Sequence, residues 1–158
     1  MRIGTGYDIH RLTSGRKLIL GGVTIPFEKG LAGHSDADVL VHAVIDAVLG
    51  ACAQKDIGEQ FPDSSSEYKD IFSIKLLEKT YNIIKEKNFK IVNIDATILA
   101  EKPKLSPYKQ KMEINIAKAL RIEASAVNVK ATTTERLGVI GKGDGIAAMC
   151  AALVENIA

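Results

Sequence analysis

Arg2-Ile3-Gly4-Thr5-Gly6-Tyr7-Asp8-Ile9-His10 decides how this chain is read. Ile3, Thr5, Tyr7 and Ile9 alternate with Arg2, Gly4, Gly6, Asp8 and His10, and that alternation predicts a β-strand. Residues two apart on a strand leave the same face, so Asp8 and His10 project together. Gly4 and Gly6 share their face and leave room beside them. The expectation is that this face stays free of helices and meets solvent, a ligand or a partner subunit.

Outward from that strand, Lys17 to Leu20 reads as a second strand ended by Gly21-Gly22. Ser35 or Asp36 can cap a helix that runs to about Ala53. Asp56 to Ser66 is a loop rich in Asp, Gly, Pro and Ser. Ile71, Ile74, Leu77, Tyr81 and Ile84 recur at helical spacing and form the apolar stripe of a second helix. Lys90 to Ala100 is a strand, with Val92, Ile94, Ala96 and Ile98 on its apolar face and Asn93, Asp95 and Thr97 on its polar face. Pro103 and Pro107 stop it. Tyr108, Met112, Ile116 and Leu120 mark a third helix, and Val127 to Thr132 another strand. Gly138 to Gly145 is a glycine-rich turn, and Ile146, Cys150, Leu153 and Ile157 predict a last helix. Strands and helices interleave, so the expected fold is α/β in the α+β two-layer sense: one mixed sheet with helices packed on one face. A chain of 158 residues that is 46% apolar suits a single domain over residues 1–158.

Charge narrows the partners. The 21 basic and 19 acidic residues nearly cancel, which leaves no footprint for nucleic acid or an anionic membrane. Lys85, Lys87 and Lys90 read as a solvated helix end. No apolar run is long enough to span a membrane, and Met1 to Tyr7 carries no apolar signal region or transit peptide, so a bacterial-type cytoplasmic protein is expected. Cys52 and Cys150 sit among apolar residues of predicted helices and read as buried, reduced thiols.

Several constellations could carry chemistry. The three histidines, His10, His34 and His42, all lie in the first third of the chain. Asp8 and His10 from a strand and His42 from the following helix can converge on one ion. A His-His-carboxylate set leaves a fourth tetrahedral position open, as catalytic zinc requires. Asp38 and Asp46, a turn either side of His42, could orient its second ring nitrogen. By spacing alone, ordinary strand-end bonding is an equal reading. His34-Ser35-Asp36 reads either as a capping sequence or as a phosphate site at a helix N-terminus. Asp56-Ile57-Gly58 and Phe61-Pro62-Asp63-Ser64-Ser65 form a polar loop that could hold substrate hydroxyls. Thr132-Thr133-Thr134-Glu135 offers hydroxyls and a carboxylate, suited to phosphate oxygens and a hard cation, or is simply a β-favouring run. Gly138-Val139-Ile140-Gly141-Lys142-Gly143 lacks the ending and spacing of a P-loop, though Lys142 could meet a phosphate.

Taken in order, these segments resemble one enzyme family along essentially the whole chain. The residues that carry the resemblance are Gly6 to His10, Gly33 to Asp38, His42-Ala43, Asp56 to Gly58, Phe61 to Asp63, Ala131 to Glu135 and Gly141 to Ala147. The chain is similar to the 2-C-methyl-D-erythritol 2,4-cyclodiphosphate synthases of non-mevalonate isoprenoid synthesis. That resemblance implies a homotrimer with active sites between subunits. It implies zinc on Asp8, His10 and His42, and magnesium or manganese on Glu135. His34 and Ser35 would hold the 2-phosphate of the substrate, CDP-methylerythritol phosphate. Asp56, Ile57 and Gly58 would hold the erythritol part, with Phe61, Pro62, Asp63, Ser64 and Ser65 beside it. Ala100, Glu101, Lys102, Pro103, Lys104, Leu105 and Ser106 would form the cytidine pocket, helped by Thr132 and Thr133. Thr134, Val139 and Lys142 complete the implied substrate contacts. His34 and Thr133 are the candidates for transition-state hydrogen bonds. The family pattern often has Arg at position 142 and Glu at position 149, near a central cavity of the trimer. Here Lys142 and Met149 stand there. A zinc-dependent phosphoester hydrolase and a non-catalytic trimeric ligand-binding protein are the alternative readings.

Overall fold

The computed structural model describes residues 1–157. Its strands are β1 (Arg2–Ser14), β2 (Leu18–Leu20), β3 (Val23–Ile25), β4 (Lys29–Leu31), β5 (Phe89–Leu99), β6 (Val127–Thr132) and β7 (Gly145–Asn156). The long helices are α1 (Val39–Ala51), α3 (Ser73–Glu86) and α4 (Lys109–Leu120), with single turns α2 (Ile57–Gln60) and α5 (Gly138–Gly141). Five strands form one sheet in the order β4-β1-β7-β5-β6, while β2 and β3 pair as a separate ribbon. β7 runs antiparallel to both β1 and β5, and β6 runs parallel to β5, so the sheet is mixed. The helices lie on one face of it, as the interleaved pattern predicts. No helix among the described residues is long and apolar enough to cross a membrane.

The covered face is the one with the glycines. Gly4 and Gly6 are buried while Ile3, Thr5, Tyr7 and Ile9 are exposed. A Cβ at Gly6 would lie 1.9 Å from the Ala43 carbonyl oxygen, and one at Gly4 would lie 2.1 Å from that of Ala47. Backbone of β1 therefore rests directly on backbone of α1. This reverses one expectation. Asp8 and His10 belong to the helix side of the sheet, not to the open side. In strand register Thr5 lies level with Ala151 and Asp95, and Tyr7 with Met149 and Thr97. The open face thus carries Ile3, Tyr7 and Met149, 71%, 55% and 53% exposed, beside Asn93, Asp95 and Thr97.

The C-terminal segment corrects a second expectation, because Ile146 to Asn156 is the central strand β7 and not a helix. Its buried residues Ile146, Ala148, Cys150, Ala152 and Val154 alternate strictly against the helices. The interleaved small Ala147 and Ala151 blur that period, and short apolar runs then fit both templates. A bulge between Ile91 and Asn93 turns Val92 to the exposed side, away from Ile94, Ala96 and Ile98. Both cysteines are buried and free, and burial pushes the Cys52 thiol up to about 11 and that of Cys150 up to about 12, which makes them inert near neutrality. The basic run closes α3, with Lys90 just beyond it paired to Glu155 at 2.7 Å.

Helix α1 starts later than expected, and its N-cap is Asp38 rather than Ser35 or Asp36. The fully buried Asp38 carboxylate accepts the Val41 N–H, and also those of Gly21 and Gly22 at 2.9 and 2.7 Å. Gly21 and Gly22 have positive φ, as a two-residue turn between β2 and β3 requires. One carboxylate thereby caps the helix and latches the ribbon to it.

The glycine seat of α1 makes the first prediction. Gly6→Ala places a methyl where the Ala43 carbonyl stands, and should cost about 3 kcal/mol, the upper range for overpacking. The expected fall in Tm is roughly 6–12 °C for a domain of this size. Calorimetry showing a loss under about 2 °C would mean that the helix is not seated on this backbone.

Candidate metal centre and its surroundings

Asp8 and His10 leave the helix side of β1 exactly where α1 begins its second turn and presents His42. His42 Nδ1 lies 3.0 Å from Asp8 Oδ2, and His10 Nδ1 lies 3.1 Å from the same oxygen. The two imidazoles meet edge to face with centroids 5.3 Å apart. One potential ligand atom from each of the three residues falls within a sphere suited to a single cation. The expected triad is therefore assembled.

Hydrogen-bond direction explains why it suits a cation. Asp36 Oδ1 accepts the Ser73 hydroxyl at 2.5 Å, and a carboxylate can only accept. Ser73 Oγ then has only lone pairs left for His42 Nε2, 2.9 Å away, so the ring carries its proton on Nε2. His42 Nδ1 faces the Asp8 carboxylate at 3.0 Å, so in the neutral ring it presents a lone pair there, and only a proton or a cation between the two makes the approach favourable. His10 Nδ1 is buried and makes no hydrogen bond of good geometry, although it lies at ion-pair distance from Asp8. Lone pairs converging this closely repel unless a cation or a proton sits among them. The donor set, two imidazoles and a carboxylate with an open side, fits a divalent ion with a vacant position.

Burial pushes the Asp8 carboxyl up, but the close approach of His10 and His42, whose protonated rings would donate to it, outweighs burial and holds it well below the usual carboxylate range. Burial likewise disfavours a charged His10, yet the Asp8 carboxylate prevails and raises its proton affinity. Neither Asp38 nor Asp46 orients His42, contrary to expectation. Asp38 is committed to the cap, and burial with the neighbouring Asp36 charge raises its pKa to about 6. Asp46 accepts the Ile57 N–H at 2.8 Å, and burial raises its pKa. The residue that does hold the far nitrogen, Ser73, lies 31 residues along the chain at the start of α3, and no local pattern marks it.

A cavity of about 200 Å³ opens over the triad. His34 and Ser35 line it, as do Ile57, Gly58, Phe61 and Asp63 from the polar loop. His34 Nε2 is buried with no protein partner. Ser35 Oγ accepts the Ala37 N–H, approaches His42 Nε2 at 3.2 Å and stands 3.5 Å from Ser73 Oγ. Arg16 fixes this segment by donating to the carbonyls of Gly33 and Ser35. Asp56 caps α2 through the Glu59 N–H, and Ser65 caps the short turn Ser66–Tyr68; Pro62 and Ser64 lie between them.

The remaining predicted residues gather elsewhere in the chain. Ala100 N–H donates to the Thr132 carbonyl, so the segment from Ala100 to Ser106 is tied to the end of β6. Glu101 accepts the N–H groups of Thr134 and Arg136 and shapes the turn after β6. Thr133 Oγ1 donates to Glu135 Oε1 at 2.8 Å, within a turn where Glu135 has positive φ. None of residues 100–106 or 132–135 lines the cavity over the triad. Lys142 lines a separate cavity of about 410 Å³ with Glu101, Lys102 and Arg136, while Val139 lines another that also borders His10.

Comparison with known proteins places the chain in a family. The model of the YgbB family matches residues 1–155. The chain belongs to the YgbB family. Over 155 residues it is 60% identical to 2-C-methyl-D-erythritol 2,4-cyclodiphosphate synthase of Desulfatibacillum aliphaticivorans, covering 98% of this chain and 100% of that one. A solved CDP complex of IspF from Plasmodium falciparum matches with a TM-score of 0.87 at 35% identity, over 99% of this chain and 97% of that one. The bifunctional IspDF of Campylobacter jejuni matches with a TM-score of 0.94 at 42% identity over 98% of this chain, which corresponds to 42% of that longer chain. Function follows family here: this YgbB-family chain is an enzyme of the cyclodiphosphate synthase kind, a cyclising phosphorus–oxygen lyase.

Proton competition tests the triad. In the metal-free protein the proton on His10 adds stability that is fully present below the ordinary imidazole value of 6.5 and is lost as pH rises through the raised value in the fold. Metal binding runs the opposite way, because it needs the bare ring. The zinc dissociation constant should therefore increase as pH falls, and the loss should begin above 6.5. A chelator competition from about pH 8 to about pH 5.5 reads this directly, and a flat profile would remove His10 from the ligand set.

Proposed function

We propose that Asp8, His10 and His42 hold a zinc ion, and that Glu135 helps hold a magnesium or manganese ion, in an enzyme that cyclises CDP-methylerythritol 2-phosphate and releases CMP. The convergence of His42 Nδ1 and His10 Nδ1 on one oxygen of the Asp8 carboxylate carries this reading. The substrate's 2-phosphate oxygen attacks the β-phosphorus of its own CDP group, the bond to CMP breaks, and an eight-membered cyclic diphosphate forms. Both reacting ends are anionic, and the bound cations supply the charge that lets them approach. The chain's own groups position them. His34 Nε2 and the Ser35 hydroxyl donate to the 2-phosphate. Ile57 and Gly58, with Phe61 and Asp63, enclose the erythritol part, and Asp56, Pro62, Ser64 and Ser65 shape that loop. Thr133 donates to the developing charge on the diphosphate, and Thr132 and Thr134 frame it. The backbone from Ala100 to Ser106 reads the cytosine edge, and the CDP complex of the Plasmodium falciparum relative supports a cytidine nucleotide as ligand. Val139 and Lys142 close the site at its rim. The reaction needs no covalent enzyme intermediate, only positioning and charge stabilisation.

The same reading makes the active unit a homotrimer working in the cytoplasm. Two features support the trimer. The open sheet face exposes Ile3, Tyr7, Ile9 and Met149 in one apolar patch, of the kind that neighbouring subunits cover. The zinc half and the cytidine half line different cavities within one chain, so a complete site needs halves from two chains.

Incubation of the protein with CDP-methylerythritol 2-phosphate, zinc and magnesium should yield CMP and a cyclic diphosphate. A linear phosphate product would point to hydrolysis instead. In the same assay Glu135→Gln should need at least roughly 10-fold more magnesium for half-maximal rate, since losing a ligand exceeds the usual effect of a neighbour to a ligand. Its zinc content should stay normal, and unchanged magnesium dependence would free Glu135 of this role.

Shared sites can be tested by complementation. His42→Ala and Lys104→Glu should each be inactive as pure trimers. Refolded together, they should regain activity, because a mixed trimer contains a site with both halves intact. No recovery in trimers shown to be mixed would mean that each chain works alone.

A further inference from the structure

Beyond the ligands themselves, the helix side of the sheet holds a buried chain of polar groups running away from the triad. His42 Nε2 meets Ser73 Oγ at 2.9 Å, and Ser73 Oγ meets Asp36 Oδ1. Asp36 is itself held in place: its Oδ2 accepts the Ser73 N–H at 3.0 Å, and its Oδ1 accepts the Asp38 N–H at 3.2 Å. Ser73 is completely buried. A buried serine at the first position of a helix ordinarily needs only water or its own backbone as partner. Here it is clamped between a carboxylate and an imidazole contributed by different elements.

We infer that Ser73, aimed by Asp36, is a positioning residue that locks His42 in the Nε2–H tautomer and so presents Nδ1 to the metal. This rests on the proposed metal reading and extends it from the ligands to what orients them. The polarity is forced from one end. Asp36 can only accept, so the Ser73 proton is committed to it, and Ser73 can only accept from His42. An imidazole whose far nitrogen is fixed as a donor keeps its lone pair on the near nitrogen, where the cation belongs. Ser35 Oγ is the longer second acceptor, 3.2 Å from Nε2 against 2.9 Å for Ser73 Oγ. The relay also ties the candidate metal centre to the start of α3.

The experiment uses the full chain with zinc as the probe. Long-range proton–nitrogen spectra of the ¹⁵N-labelled, metal-free protein, taken well above the ordinary imidazole pKa, should show His42 as the Nε2–H tautomer. The His42 signals are assigned by their loss in His42→Gln. Ser73→Ala should convert them to a mixture of tautomers and weaken zinc binding roughly 10- to 100-fold. Asp36→Asn should weaken zinc as well. Because Asp36 acts through the Ser73 hydroxyl, the double variant should bind zinc no worse than Ser73→Ala alone. Three results would overturn the inference: His42 carrying its proton on Nδ1 in the wild type, an unchanged zinc constant in Ser73→Ala, or losses that multiply in the double variant. Should Ser73→Ala fail to fold, the wild-type tautomer still decides. A wild-type chain that takes up no zinc at all would instead bring down the metal reading itself.

Discussion

The close seat of α1 on β1 sets the geometry of everything near the metal centre. With side chains between them, a helix and a strand stay too far apart for short polar side chains to bridge. Gly4 and Gly6 remove that spacing, and the carbonyls of Ala43 and Ala47 occupy the volume of the missing methyls. Ala43 and Ala47 are one helical turn apart, as Gly4 and Gly6 are one strand repeat apart, so the contact runs along both elements. His42 stands next to Ala43, and Asp8 and His10 continue the face begun by Gly4 and Gly6. The 3.0 Å approach of His42 to Asp8 is the consequence.

Around that contact the protein gathers three aspartates with three different duties. Asp8 faces two imidazoles and is held ionised by them, ready for a cation. Asp38 is fully buried and spends its oxygens on the helix cap and the β2–β3 turn, where burial makes it a reluctant anion. Asp36, between these, aims Ser73 at His42. Asp38 is buried and Asp8 and Asp36 are half-buried, positions that would be costly without partners, and each accepts defined donors. The consequence for function is rigidity: the ligand set is prepared before any ion arrives, so little ordering is left for binding to supply.

The two faces of the sheet divide the work. The helix face builds the core and the metal centre. The other presents Ile3, Tyr7 and Met149 along two adjacent strands, with Asp95, Thr97 and Lys130 further across, and Lys130 pairs with Asp95 at 2.6 Å. An apolar strip edged by a polar one is the surface on which the proposed trimer would associate.

The sequence by itself determined the elements that have one strong period: β1, β5 and β6, the helix that follows Asp38, and the amphipathic α3 and α4. It also named the residues that the fold brings together at the candidate site. Asp8 and His10 two apart on a strand, His42 on the next helix and His34-Ser35 at its approach were legible because their spacing and residue types are local. The C-terminal segment was not legible, because alternating alanines around Ile146, Cys150 and Leu153 satisfy helix and strand periods alike. Only neighbours on both sides, β1 and β5, make it a strand. Only the tertiary structure decided which face of β1 the helices cover. Glycines read locally as open space, whereas α1 uses that space for its own backbone. Only the tertiary structure decided, too, that Ser73 rather than Asp38 or Asp46 holds His42. A hydrogen bond between residues 31 positions apart leaves no trace in spacing, and it forms because α3 packs its first turn against the start of α1.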